Sequence, residues 1–318
     1  MRHIFCTGAI AFLLLNGCFA QNPDPSPSVS QEENVDDSQG SVAEAMAEEN
    51  ETLEELTITI LPDRSSAERD EKIEILKAYL AETLGIPIEL SVASDYENAV
   101  EQLVNGTVNM AYLGPLTYIQ AKEQNPSIEA IAAPIDKNSG RPWYTGVVIG
   151  RTDITTLEDL KGKRFSFVNE ASASGFLMPS YEFQNLEIDP EENFAAVSYG
   201  GNHDETLQLL LEDQVEAIAI NRATYNKALE TGILDPDKFR IIWESDPITN
   251  APIVVSGTVP ESFKPVLQKA LVDAPAGLVS ISVSEAQGYT IVEDGDYEPI
   301  RQLYQDYQQQ NQEPDPEA

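Results

Sequence analysis

Glu97-Asn98-Ala99-Val100-Glu101-Gln102-Leu103, continued through Val108, Ala111, Thr117-Tyr118 and Ala121, returns later as Asp204-Glu205-Thr206-Leu207-Gln208-Leu209-Leu210, continued through Val215, Ile218, Thr224-Tyr225 and Ala228. Val108 falls on Val215 and Tyr118 on Tyr225, so each pair lies 107 residues apart. At the same spacing Ile58-Thr59-Ile60 falls on Phe165-Ser166-Phe167, Ser65 on Ser172 and Tyr96 on His203. Chance likeness between two amphipathic units is the alternative; two lobes of like topology explain the constant spacing.

Each half reads as alternating strands and helices. Leu56-Thr57-Ile58-Thr59-Ile60-Leu61 alternates as a strand does, an apolar-periodic helix is predicted over residues 68–84 with Gly85 as its cap, and Ile86-Pro87-Ile88-Glu89-Leu90 is a second strand. A helix from Asp95-Tyr96 to Val104 and a strand from Val108 to Leu113 follow, the order of a parallel α/β sheet. Pro142-Trp143-Tyr144-Thr145-Gly146-Val147-Val148-Ile149 reads as an extended crossing into the second lobe, and Ile253-Val254-Val255 returns the chain to the first. The expected division is residues 56–143 with 252–305 as lobe 1 and 144–251 as lobe 2. Ligands of such sheets sit beyond the carboxyl ends of the strands, which nominates residues 62–66 with 169–175, and Asp95-Tyr96 with Asn202-His203.

The ends of the chain bound its compartment. Met1-Arg2 leads into an apolar run, residues 4–15, that is too short to span a bilayer and reads as a signal-peptide core. It closes on Leu15-Asn16-Gly17-Cys18, similar to the lipobox at which a lipoprotein is cut and Cys18 lipidated; an ordinary secretory signal is the alternative. Residues 18–55, rich in Pro, Ser, Gln, Asp and Glu, lack the apolar surface to offset chain entropy and are expected to be a disordered tether, with a similar tail from about residue 306.

Composition excludes several classes of function. Removing a signal that contains Cys6 and His3 leaves one histidine, His203, and no cysteine beyond the lipidated one, so disulfides, thiol catalysis and Cys or His metal sites are not expected. No cofactor is expected either. A formal net charge of -35 argues against nucleic acid or an anionic lipid surface as partner, membrane attachment being left to the lipid alone.

Arg164-Phe165-Ser166-Phe167-Val168 reads as a strand, followed by Asn169-Glu170-Ala171-Ser172-Ala173-Ser174-Gly175 and a helix opening Phe176-Leu177-Met178-Pro179. Pro179 fits only near a helix start, which places Ser172 and Ser174 at its amino end, where unpaired N–H groups and a positive partial charge suit a phosphoryl group. Capping by the serines is the plainer role, and the segment alone does not choose. His203, after Tyr199-Gly200-Gly201-Asn202, offers a ring N–H at a cleft loop or is merely structural. A Ser-His hydrolase is disfavoured, because the nucleophile elbow needs glycine where Glu170 and Ser174 stand. Charges beyond about 10 Å are screened at ordinary salt, so the acidic chain does not forbid an anionic ligand.

At these residues the chain resembles the PhnD-like phosphonate, phosphite and phosphate binding proteins of ABC importers. The resemblance spans residues 56–304 and is carried by Asp95-Tyr96, Ala111-Tyr112-Leu113-Gly114-Pro115, Tyr144, Ser172-Ala173-Ser174-Gly175-Phe176-Leu177-Met178-Pro179, Gly201-Asn202-His203-Asp204 and Ile242-Trp243-Glu244-Ser245. It implies a bilobed α/β periplasmic-binding-protein fold of type II with a two-stranded hinge, no enzymatic activity, and a ligand gripped by Ser172, Ala173, Ser174, Gly175, His203, Tyr96 and Tyr144. Trp143, Tyr112, Ser65 and Asn221 are further candidates, with Trp143 and Tyr144 undecided between them. The family's middle Thr is Ala173 here, which keeps only its N–H.

Where relatives of this kind seat a ligand ammonium on acidic residues, the chain has Ala223 and Ala251. An unpaired buried ammonium is costly, so the expected ligand lacks an amine: phosphite or methylphosphonate, with phosphate as competitor. The resemblance implies a monomer that delivers to an ABC permease and its ATPase; a sensory lipoprotein reporting the same ligand to a membrane kinase shares every cleft feature.

Overall fold

The computed structural model describes residues 53–62, 67–137, 139–275 and 286–311. Arg64, Ser65, Cys18 and residues 18–52 of the expected tether lie outside them. Among the described residues no helix is long and apolar enough to cross a membrane.

In chain order the first half holds β1 (Leu56–Ile60), α1 (Ala67–Leu84), β2 (Ile88–Val92), α2 (Tyr96–Val104), β3 (Met110–Tyr112), α3 (Pro115–Gln124) and β4 (Glu129–Asp136). A short β5 (Trp143–Tyr144) leads to β6 (Gly146–Arg151) and β7 (Arg164–Phe167). Next come α4 (Met178–Asn185), α5 (Pro190–Asn193), β8 (Ala196–Tyr199), α6 (His203–Leu211), β9 (Ala217–Asn221), α7 (Arg222–Glu230) and β10 (Phe239–Glu244). The chain returns through β11 (Ile248–Thr249) to β12 (Ile253–Val255), α8 (Lys264–Val272), β13 (Ala286–Ile291) and α9 (Glu298–Asn311).

Two sheets result. The first runs β13-β4-β12-β3-β1-β2 and the second β10-β6-β9-β7-β8, with β1 parallel to β2 and β3, and β7 parallel to β8 and β9. The alternating pattern of β1 sends Leu56, Ile58 and Ile60 to one face, under α1 and α8, while Ala111, Leu113 and Val254 face α2, α3 and α9. The spacing of 107 recurs in the elements themselves: α2 and α6 start at Tyr96 and His203, β3 and β9 at Met110 and Ala217, α3 and α7 at Pro115 and Arg222.

The crossing is a two-stranded ladder of its own, in which Tyr144 pairs with Ile248 and Trp143 with Thr249. The chain breaks at Thr145 before β6, where the sequence suggested one continuous strand. Gly146 is required there, since a Cβ would lie 2.9 Å from the Ser174 carbonyl. Beyond Tyr307, where a disordered tail was expected, α9 continues to Asn311. Its Tyr307 ring meets Phe176 edge-on at 5.8 Å, and Gln184 Nε2 donates to Asn311 Oδ1 at 2.8 Å, so contacts with the second half hold its last turns.

Candidate functional site

Five helical amino ends gather at the carboxyl ends of the strands. Asp95 caps α2 by accepting from the Asn98 N–H, Asn202 caps α6 from Glu205, and Asn221 caps α7 from Thr224. Gly114 precedes α3 without a side-chain cap. The fifth begins earlier than the sequence suggested: a π-helical turn over Ala173–Leu177 runs directly into α4. Pro179 is therefore the second residue of α4 but the seventh of the continuous run from Ala173, past the first turn in which the sequence placed it.

The two serines of that turn divide the work. Ser172 Oγ accepts from the Gly175 N–H at 3.0 Å, so Ser172 is the cap and keeps its hydroxyl proton to donate. Ser174 does not cap; its Oγ is buried and has no hydrogen-bond partner. The Tyr144 hydroxyl lies near enough to it to temper the rise in the Tyr144 pKa, which burial pushes up to about 12, without the two making a hydrogen bond of ordinary geometry. A buried hydroxyl without a partner costs about 1–3 kcal/mol, a deficit that a ligand acceptor removes. Gly175 is fixed by packing: a Cβ there would lie 2.4 Å from Val168 Cγ2.

His203, the first residue of α6, accepts the Asn221 N–H on Nδ1 at 3.2 Å. A neutral ring that accepts on Nδ1 carries its proton on Nε2, leaving that atom a donor. Burial lowers its pKa from 6.5 to about 4, against the opposing pull of Asp204, so the ring is neutral at ordinary pH. The donors here are thus uncharged. Arg222, at the start of α7, is tied to Glu244 at 2.6 Å, and Glu244 also accepts from the Thr145 hydroxyl.

Of the other sequence candidates, Tyr96 is buried and packs among Val168, Ala171 and Leu207, so the first half reaches into the second half's core. Tyr144 lies with Ala173 and Leu177, whereas Trp143, its neighbour on β5, sits under the Arg141 guanidinium at 4.7 Å. Successive strand residues face opposite ways, which separates the two aromatics the sequence left undecided. Tyr112 turns toward Tyr289, its hydroxyl 3.3 Å from that hydroxyl, in the cluster under α1 and α8. Asn221 contributes its N–H to His203 and its side-chain oxygen to the cap, a supporting part. Ser172 and His203 are not bonded to each other, so no nucleophile and base are paired. Ala223 lies in the first turn of α7, and Ala251 in the return crossing, its N–H on Asn250 Oδ1. No group of His, Cys, Asp and Glu fit for a metal occurs among the described residues.

Thr117 was missed as a contact between the halves, though the repeat contains it. Its Oγ1 donates to the Ala171 carbonyl at 3.0 Å. Nothing in the sequence pairs those two positions, one in α3 and the other in the loop after β7.

Two α/β halves joined by a two-stranded crossing give the bilobed fold of a type II periplasmic binding protein. The family described as "ABC transporter, phosphonate, periplasmic substrate-binding protein" matches residues 58–297, and the chain belongs to it. The phosphate-import protein PhnD of Mycolicibacterium smegmatis is 25% identical over 272 residues, covering 79% of this chain and 85% of that protein. The probable ABC transporter phosphite binding protein PhnD1 of Prochlorococcus marinus is 23% identical over 213 residues, 65% of this chain and 72% of its own. A solved structure of PhnD1 from Prochlorococcus marinus with methylphosphonate superposes with a TM-score of 0.72 at 20% identity, covering 80% of this chain and 98% of that one. The protein is accordingly an extracytoplasmic substrate-binding protein of the ABC-transporter phosphonate family, and not an enzyme.

Proposed function

We propose that this protein binds a small phosphorus oxyanion without an amine, phosphite or methylphosphonate before phosphate, between lobes of residues 56–143 with 252–305 and 144–251. The observation that carries the reading is the unpartnered Ser174 hydroxyl, buried in a turn whose Ser172 hydroxyl and main-chain N–H groups face the same helix end. With His203 Nε2, Tyr96 and Tyr144 they make a neutral donor set, which suits an anion in a site drier than bulk water, where dipoles act at lower effective dielectric. Ala223 and Ala251 offer nothing to an ammonium. The bound protein hands its ligand to a membrane permease driven by an ATPase, as a monomer tethered through lipid on Cys18.

Inorganic phosphate is the second reading, favoured by the name of the Mycolicibacterium relative. The test is thermal stability of the purified chain against phosphite, methylphosphonate, phosphate, sulfate and 2-aminoethylphosphonate. A ligand at about 100 times its dissociation constant adds roughly 2.7 kcal/mol. Shifts with phosphite or methylphosphonate exceeding that with phosphate support the first reading, and a phosphate shift alone the second. A shift with the aminated compound alone overturns the argument from the alanines. Mass of the protein recovered from membranes tests Cys18, lipid adding well over a signal-cleaved chain.

A further inference from the structure

The halves meet at the oxyanion turn itself, through side chains outside the donor set. Thr117, three residues into α3, is fully buried and donates to the Ala171 carbonyl. The Ala171 N–H in turn donates to Asn169 Oδ1 at 2.7 Å, and Asn169 Nδ2 donates to Glu97 of α2 at 3.2 Å. Both main-chain polar groups of the residue before Ser172 are therefore held from the first half, one directly and one through Asn169. Gly114 leaves the space for this, since a Cβ there would stand 3.2 Å from Thr117 Oγ1.

The two contacts differ in weight. Thr117 and Ala171 are buried, so with the halves together an unpaired Ala171 carbonyl has no water to turn to; with the halves apart it is hydrated. The contact thus favours the closed arrangement selectively. Glu97 is exposed, and its bond to Asn169 is the weaker, salt-sensitive part.

We propose that Thr117 is a positioning residue for the ligand: reaching across the cleft, it fixes the Ala171 carbonyl and so holds residues 172–175 in their binding shape as the halves close. Glu97 and Asn169 form the rim of the same clamp. The inference rests on reading the turn as the anion seat. Its test compares Thr117→Val, isosteric without the donor, with Thr117→Ser, which retains it, in the full chain. With methylphosphonate and phosphite as probes, stopped-flow dissociation should quicken about tenfold in Thr117→Val, the effect of about one buried hydrogen bond, with association changed less than twofold and Thr117→Ser near the parent. Unchanged dissociation in Thr117→Val, or an equal effect from Thr117→Ser, overturns the proposal. Amide exchange across residues 169–175 without ligand supplies the independent readout: faster exchange in Thr117→Val supports the clamp even if no phosphorus oxyanion binds, a result that would sink only the ligand reading, and identical exchange overturns the clamp.

Discussion

α2 and α6 begin and end 107 residues apart, yet one opens on Asp95-Tyr96 and the other on Asn202-His203. α3 and α7 start at the same spacing, one behind a bare Gly114 and the other behind a capping Asn221. Ser174 of the second half stands where the first has Ala67, and Thr224 where it has Thr117. The backbone plan is shared, while the groups at the helix starts are not. The second half carries a neutral imidazole bonded by Asn221 and a hydroxyl left open, and in the proposed site it is the donor face; the first half sends Tyr96 and Thr117 across to it. The shared plan sets where helix starts fall, and the residues at the first helical turns decide what groups they present.

The sharpest way to break the comparison is at Gly175, whose counterpart is Glu68. Gly175→Ala drives a Cβ into Val168 and should cost about 3 kcal/mol, seen as a lower urea midpoint at unchanged slope. Ser174→Ala makes the turn resemble the first half. It should weaken oxyanion binding about 30-fold by isothermal titration, the value of a hydrogen bond to a charged acceptor, while leaving the melting temperature level or higher.

His203 separates the halves by pH, for Tyr96 does not titrate in the acid range. The folded ring takes a proton only near pH 4, whereas the unfolded ring takes one near 6.5, so between these values the unfolded chain binds more protons. Its contribution to stability is complete above about pH 6.5 and is lost as pH falls toward 4. With the ring only half-buried the loss is about 2 kcal/mol, smaller than the full shift implies, and it should be absent in His203→Gln; proton NMR of a His3→Gln chain reads the ring directly. Smallest is Thr224→Val: the Thr224 hydroxyl is buried without a partner, so stability should change by less than about 0.5 kcal/mol, against about 1 kcal/mol for Thr117→Val. Equal losses at the two threonines would mean that the halves are clamped alike.

Much of this was legible in the sequence because period and spacing are local signals. The alternation of Leu56-Thr57-Ile58-Thr59-Ile60 and the constant 107 placed both sheets, and Pro179 placed Ser172 at the start of a helical run. The π-helical turn was not legible, since it arises from Gly175 seated on Val168 and Gly146 pressed on Ser174, contacts between segments far apart. Nor were the different surroundings of Tyr144 and Trp143, which depend on where the ladder with Ile248 and Thr249 turns each face. The last turns of α9 are polar enough to pass for a tail; Tyr307 on Phe176 and Asn311 on Gln184 make them a helix. The functions of Ser172 and Ser174 looked interchangeable in sequence, and only hydrogen bonding tells the cap from the open donor.

α9 springs from the first half, where Ile300 packs with Leu116 and Ile119, and finishes on the second at Gln184. This last described helix is thus fastened on both sides of the crossing. Under the proposed closure, a dye or fused fluorescent domain placed after Asn311 would be towed with the halves, converting occupancy into an optical signal without a label anywhere near the ligand.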